Sequence, residues 1–392
     1  MGVTSAINYD DLRRQARRRL PRIAYDFIEG GVDGEEGLVR NFDAFSGIRL
    51  VPKYMVDVST IDQSTTLFGC TYSHPFGIAP TGAAALFRPG ADMMLARAAR
   101  DANIPFIMSG ASTATMEELA QIAPEHGWYQ IYLARDRAIN DDMIRRAEAC
   151  GLQTLVLTVD VPGRAKRERN MRNGFDRPMR PSISATAEAV LHPAWLYDYV
   201  TKPGLSASNW EKYAPAGSSP DQVLDFLSAQ FPRAVTWDDV ARIRKQWPRN
   251  FVLKGIMHPD DARRAASLGV DGIMVSNHGA RQLDRAPSPI EVLPAIRDAV
   301  GDTMTLMLDS GIRRGSDIVT ALCLGAKFAF VGRWTLYGVT AGAQAGANHA
   351  VGMIGNEIGG VMGQMGAPTI AALGPDYLFW DGPEDLKRNR RP

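Results

Sequence analysis

The chain has 392 residues, a formal net charge of +1 and 45% hydrophobic residues, enough for one large domain with a sizeable core. So neutral a balance removes the electrostatic case for a nucleic-acid partner. Three scattered cysteines, Cys70, Cys150 and Cys323, make neither a disulfide framework nor a CxxC pair, which fits a reducing, cytoplasmic setting with no bound metal.

Residues 1 to about 60 read as an N-terminal helical cap, with RRQARRRLPR (13–22) as a solvated helix face. Eight apolar or β-branched runs follow: PFGIAPT (75–81), IPFIMSG (104–110), GWYQIYL (127–133), TLVLTVD (154–160), NFVLKGI (250–256), GIMVSNH (272–278), TLMLDSG (305–311) and KFAFVGR (327–333). Between most of them lie stretches such as GADMMLARAARDAN and HPDDARRAASLGV, with apolar positions at helical spacing. Eight strand–helix alternations predict an α/β fold, a closed (β/α)8 TIM barrel. Each run turns polar at its end: Thr81, Ser109, Gln130 with Tyr132, Thr158 with Asp160, Lys254, Asn277 with His278, Asp309, and Gly332 with Arg333. Loops after barrel strands converge on one rim, so these residues are expected together there.

Neighbouring strand ends are mostly 23 to 31 residues apart, but Asp160 and Lys254 are 94 apart. An insertion is therefore expected after the fourth strand, roughly 174–236. Its Trp195, Tyr197, Tyr199 and Trp210, with Lys202 and Lys212 nearby, have a composition favoured at membrane interfaces. The alternative is a loop packed on a neighbouring subunit. No run reaches the roughly 18 apolar residues of a membrane span, and the N-terminus lacks an export signal. The expected single domain covers 1–380, and DGPEDLKRNRRP (381–392) reads as a polar tail.

LDSGIRRGSDI (308–318) closes the seventh strand and opens a helix. Gly311 and Gly315 free the backbone to turn its N–H groups inward, Arg313 adds charge, and Gly332 with Arg333 lie at the eighth strand end. Backbone amides, a helix start and guanidinium groups suit a phosphate monoester. The competing reading is a pair of tight turns with surface arginines. SNHGARQLD (276–284) then places an imidazole three residues from a guanidinium at the mouth of a buried strand.

These residues resemble the FMN-dependent α-hydroxy-acid dehydrogenase and oxidase family, from LPRIAYDFIEGG to VGRWTLYG. SNHGARQLD is close to the family signature, with Ala280 where the family usually has Gly. The resemblance implies FMN, its phosphate at Gly311, Arg313, Gly332 and Arg333, with Asp309 adjoining. Pro80, Thr81 and Gly82 would run along it, Ser109, Gln130, Thr158 and Ser276 would bond its ring, and Lys254 would sit beside N1. His278 would be the base, oriented by Asp160. Arg281 and Arg167 would clamp the carboxylate of a small 2-hydroxy acid, and Tyr25 and Tyr132 would supply hydroxyls. Gly82 stands where the family's oxidases commonly have Ala, which favours a dehydrogenase with a membrane quinone as acceptor; the resemblance leans to (S)-mandelate, then L-lactate, as substrate. A homotetramer, peripheral on the inner face of the cell membrane, is expected. The alternatives are an oxygen-using oxidase and, from another class, a Schiff-base aldolase through Lys254.

Overall fold

The computed structural model describes residues 2–175, 182–202, 205–231 and 234–380. Eight short strands pair in parallel and close on themselves: β1 (Phe76–Ile78), β2 (Phe106–Met108), β3 (Gly127–Ile131), β4 (Thr154–Thr158), β5 (Asn250–Ile256), β6 (Gly272–Val275), β7 (Thr305–Leu308) and β8 (Phe328–Val331). Their order around the barrel follows the sequence, and β8 returns to β1 with Ala329 opposite Phe76. All eight expected runs are strands, and the fold is the (β/α)8 barrel. Most strands stop short of the polar residue that ends the run. Gln130, Thr158 and Lys254 stay within their strands, and the other polar residues stand on the loops of the C-terminal rim, outside the hydrogen-bonded ladder.

Inside the barrel, Trp128, Val156, Val252, Met274, Met307 and Phe330 pack together. A hairpin of Thr65–Leu67 with Cys70–Tyr72 closes its N-terminal end, adding Leu67 and Tyr72 to that cluster. At the other end, β5 has a register irregularity between Lys254 and Ile256. Gly255 sits there at φ +105°, and a Cβ on it would lie 2.5 Å from Asp160 Cβ. Only glycine lets Asp160 come this close to β5.

The cap is helical as expected, with helices Tyr9–Arg19, Arg22–Glu29 and Glu36–Ser46. Asn8 caps the first by accepting from the Asp11 N–H at 2.9 Å, and Arg17, Arg18 and Arg19 complement its C-terminal dipole. The basic run is not simply solvated. Arg13 pairs with Glu29, Arg19 with Asp198, and Arg17 and Arg22 approach Glu188, so it ties the cap to itself and to the insertion.

The insertion carries helices Ile183–Val190, Pro193–Thr201 and Pro220–Gln230. Two of its rings are not where a membrane reading puts them. Trp195 and Trp210 are buried, their indole N–H groups donating to Leu86 O at 2.7 Å and Gly110 O at 2.8 Å. They anchor the insertion to the rim. The outward residues are aliphatic: Ile183 is 91% exposed, Leu191 76% and Val200 72%, beside exposed Tyr197 and Tyr199. Among the described residues no helix is long and apolar enough to cross a membrane. The 381–392 tail lies outside the described residues.

Candidate active site

A cavity of about 280 Å3 opens on the C-terminal rim, roofed by Phe27 and Ile28 of the cap. Its walls bring together Pro80, Thr81, Gly82, Ser109, Tyr132, Arg167, Lys254, His278, Arg281, Asp309, Gly311, Arg313, Gly332 and Arg333. Asp160, Gln130, Thr158 and Ser276 stand behind that wall.

The loop after β6 is built to present His278. The residue sits at φ +58°, unusual for a side chain larger than glycine, and its backbone N–H donates to Ser276 Oγ at 3.0 Å. Ser276 Oγ also accepts from Lys254 Nζ at 2.8 Å. One residue on, the Gly279 N–H donates to Ser310 Oγ at 2.8 Å, and Ser310 Oγ donates to Asp309 Oδ1 at 2.9 Å. Asp309 also pairs with Lys254 at 2.9 Å, both groups buried. A single carboxylate thus holds both the cation and the loop that follows the histidine.

His278 Nδ1 lies 2.9 Å from Asp160 Oδ1. A carboxylate only accepts, so Nδ1 carries the proton and Nε2 keeps a free lone pair. Burial lowers the His278 pKa, helped by the Lys254 and Arg167 charges and opposed by Asp160. The ring is therefore neutral at pH 7, the form in which it can take a proton. Burial works against the Asp160 carboxylate, yet His278 and Lys254 outweigh it and hold its pKa below the usual range. Tyr132, its ring centroid 6.5 Å from that of His278, has its phenol pushed up to about 12 by burial and stays a donor.

Burial likewise disfavours the Lys254 ammonium, but Asp309 and Asp160 overcome this and raise its pKa. An amine held protonated in an ion pair is a poor resting nucleophile, which counts against the aldolase reading.

Arg281, Arg167 and Arg333 crowd the same cavity, and among the described residues no carboxylate lies within 4.0 Å of their nitrogens to form a salt bridge. Arg281 Nη1 donates instead to Phe27 O and Gly30 O at 2.8 Å each, and Arg167 Nη2 to Gln282 Oε1 at 3.2 Å. Burial, with the repulsion of Arg167 and Arg333, pushes the Arg281 pKa well down. A guanidinium does not release its proton, so an anion is what relieves this arrangement.

At the far wall, Gln130 Oε1 accepts from Ser109 Oγ at 3.2 Å and from the Gly110 N–H at 3.1 Å. Gln130 Nε2 and Thr158 Oγ1 are buried with no partner. Unpaired buried polar atoms are costly, and a ligand bearing hydrogen-bonding groups would satisfy them.

Two expectations need correction. Tyr25 is not in the cavity lining: its ring lies under Arg17, 4.8 Å from the guanidinium carbon, on the other side of its helix. Phe27, missed in the sequence, takes that place, with the Arg281 guanidinium 5.1 Å from its ring centre. Gly315, expected to aim its N–H inward, donates to Glu357 Oε2 at 2.7 Å. Gly311 keeps its place at φ +84°, but a Cβ there would lie 2.4 Å from Asn41 O, so the cap helix also demands glycine.

Residues 16–380 match the family model described as FMN-dependent dehydrogenase. The chain belongs to that family. It is 38% identical over 375 residues to the (S)-mandelate dehydrogenase of Pseudomonas putida, covering 96% of this chain and 94% of that one. It is 37% identical over 375 residues to a putative L-lactate dehydrogenase of Mycobacterium tuberculosis, covering 95% and 89%. Among solved structures, one described as the monotopic membrane protein (S)-mandelate dehydrogenase superposes with a TM-score of 0.92 at 37% identity, covering 96% of this chain and all of that one. A mandelate oxidase structure gives 0.79 at 33% identity, covering 94% and 97%. The protein is thus an FMN-dependent oxidoreductase. The donor set fits the cofactor: Arg313 and Arg333, donating to backbone carbonyls at one end, suit a phosphate, and the orphaned Gln130 and Thr158 atoms at the other suit a heteroaromatic ring edge.

Proposed function

We propose that this flavoenzyme oxidises an (S)-2-hydroxy acid to the 2-oxo acid, with (S)-mandelate ahead of L-lactate. The observation that carries the reading is His278, its Nδ1 held 2.9 Å from the Asp160 carboxylate, facing the same cavity as Arg281 and Arg167, which among the described residues have no carboxylate within salt-bridge reach. The planar forks of Arg281 and Arg167 bind the substrate carboxylate and fix the direction of its α-carbon. His278 Nε2 takes a substrate proton, and Asp160 stabilises the imidazolium that results. Tyr132 donates its phenol to the substrate oxygens. The substrate loses two protons and two electrons in becoming the 2-oxo acid, and FMN when bound supplies the two-electron acceptor.

Gly311, Arg313, Gly332 and Arg333 would hold the FMN phosphate, with Pro80, Thr81 and Gly82 along its length. Ser109, Gln130, Thr158 and Ser276 would serve the ring edge, and Lys254, fixed by Asp309, would set a positive charge beside it. The roof of Phe27 and Ile28 would shield the reacting carbon from water on the cap side.

The acceptor is read as a membrane quinone, supported by Gly82 and by the relatives named dehydrogenases; oxygen is the alternative. The enzyme would work as a homotetramer, cytoplasmic and peripheral on the inner face of the membrane. Exposed Ile183, Leu191 and Val200 on the insertion support the docking. Anaerobic mixing of the FMN-loaded protein with (S)-mandelate and L-lactate tests the reaction. Bleaching of the flavin is expected, and no bleaching with any 2-hydroxy acid overturns the reading. Comparing turnover with oxygen and with a quinone analogue tests the acceptor.

A further inference from the structure

The two arginines assigned to the FMN phosphate are held in different ways. Arg333 donates to the cap carbonyls Ile28 O and Gly30 O at 2.9 and 3.0 Å. Arg313 donates from Nη1 to its neighbour Ile312 O at 2.8 Å, and its guanidinium carbon lies over the ring of Tyr9, 4.8 Å from the centre. Tyr9 stands on the first cap helix and is not in the cavity lining. We infer that Tyr9 is a positioning residue for the cofactor, its ring face holding Arg313 toward the phosphate without neutralising it. This rests on the reading of Gly311, Arg313, Gly332 and Arg333 as the phosphate end.

The adjacent residue shows the other way to hold a guanidinium. Arg314 is exposed, and its Nε lies 3.3 Å from Glu357 Oε2, so a carboxylate takes up its charge. For Arg313, among the described residues no carboxylate lies within 4.0 Å of its nitrogens. A guanidinium already paired with a carboxylate has little left to offer a second anion. An aromatic face attracts the same cation through its quadrupole and brings no net charge. The charge of Arg313 therefore stays available to the cavity that it lines.

Tyr9 is itself braced by the helix that follows β8, Arg333–Met365. Its ring is buried and meets Trp334 edge-on at 5.8 Å and Tyr337 at 5.5 Å. Trp334 follows Arg333 directly, so one aromatic cluster backs both phosphate arginines. Tyr337 donates its hydroxyl to Glu29, and Glu29 pairs with Arg13 at 2.6 Å, which ties the first two cap helices to that cluster. Ahead of Tyr9, Ala6 O accepts from His349 Nε2 at 2.8 Å, and a Cβ on Gly342 would lie 2.4 Å from Val3 Cγ1. The chain is thus pinned on both sides of Tyr9, and the ring has little freedom to leave Arg313. The first cap helix then acts on the cofactor at one remove, through that guanidinium.

The test strips FMN from the full-length protein and titrates it back, then repeats the titration with riboflavin, which lacks the phosphate. Flavin fluorescence reads both affinities. Tyr9→Leu should weaken FMN binding by about 3- to 10-fold and leave riboflavin binding unchanged. Tyr9→Phe keeps the ring face and should bind both flavins as the native chain does. Phenylalanines carrying more and more fluorines at position 9 keep the shape while draining the ring face. FMN affinity should therefore fall stepwise along that series, which decides the matter even where Tyr9→Leu disturbs the fold. Arg313→Ala should weaken FMN by about 10-fold or more, and adding Tyr9→Leu to it should bring no further loss. Equal losses of FMN and riboflavin in Tyr9→Leu, a flat fluorine series, or a Tyr9→Leu loss that persists without Arg313 overturns the inference and leaves the phosphate reading standing. Native FMN affinity in Arg313→Ala overturns the phosphate reading, and the inference falls with it.

Discussion

Asp160→Asn isolates the charge that faces His278, because the amide keeps the shape and one hydrogen-bonding oxygen. In the native protein the carboxylate lies 2.9 Å from Nδ1 and is largely buried. A unit charge about 4 Å from another, in surroundings of effective dielectric ~20, contributes about 4 kcal/mol. The imidazolium is only partly formed in the transition state, so roughly 3 kcal/mol of this stabilisation is lost there. At about 1.4 kcal/mol per decade, flavin reduction should slow by about 10²-fold. The assay is anaerobic stopped-flow at saturating substrate, with flavin absorbance confirming that FMN is retained. The pH profile gives a second readout. On the proposed reading His278 works deprotonated, so kcat/KM should fall as pH drops through its pKa, which burial holds below the ordinary value of about 6.5. Asp160 now raises that pKa, so the Asn variant should shift the acid limb to lower pH while lowering the plateau. A rate loss under about 5-fold, or a limb that moves upward, would refute the pairing as the source of the effect.

Arg281→Lys should raise KM and lower kcat together, with kcat/KM down by about 10²-fold, because one ammonium cannot reproduce the bidentate fork; steady-state kinetics on the preferred acid would show it. Asp309→Ala removes the partner of a buried ammonium, and breaking such a pair costs about 3–5 kcal/mol, so the denaturation midpoint should fall sharply. The combined change Ile183→Asn, Leu191→Asn and Val200→Asn should release the protein from vesicles in co-sedimentation while dye reduction persists. If the native chain stays in the supernatant with anionic and neutral lipids alike, the docking proposal is wrong.

The barrel was legible because strands of a parallel sheet are covered on both faces and read as unbroken apolar runs that turn polar at one rim. TLVLTVD and GIMVSNH carry the strand and its functional end in seven letters each. Pairing across the rim was harder: Asp160 and His278 are 118 positions apart, and only barrel closure brings them to 2.9 Å. Helical phase defeated the reading at Tyr25. The expectation there came from the resemblance; residues two apart on a helix point about 200° from each other, so with Phe27 on the cavity Tyr25 faces away, under Arg17. Composition misled at Trp195 and Trp210. Aromatics beside lysines suit a headgroup region, but each indole N–H found a rim carbonyl and the ring went inward. The hairpin at 65–72 was missed because its two strands are only three residues each.

The cap's role follows from one carbonyl. Gly30 O accepts from Arg281 Nη1 at 2.8 Å and from Arg333 Nη2 at 3.0 Å, so the arginine read as the substrate clamp and the one read as a phosphate ligand share an anchor. Arg333 Nε also reaches Ile28 O at 2.9 Å, and Arg281 reaches Phe27 O. The segment from Phe27 to Gly30 therefore spends its carbonyls holding two guanidinium groups that repel each other. Carbonyl dipoles satisfy hydrogen bonds but do not cancel charge, and in a buried site that distinction is large. An anion at either end lowers the repulsion felt at the other. If Arg281 and Arg333 hold substrate and cofactor as proposed, the two would be coupled through the roof as well as through the reacting atoms, and the roof should be firmest when both are bound.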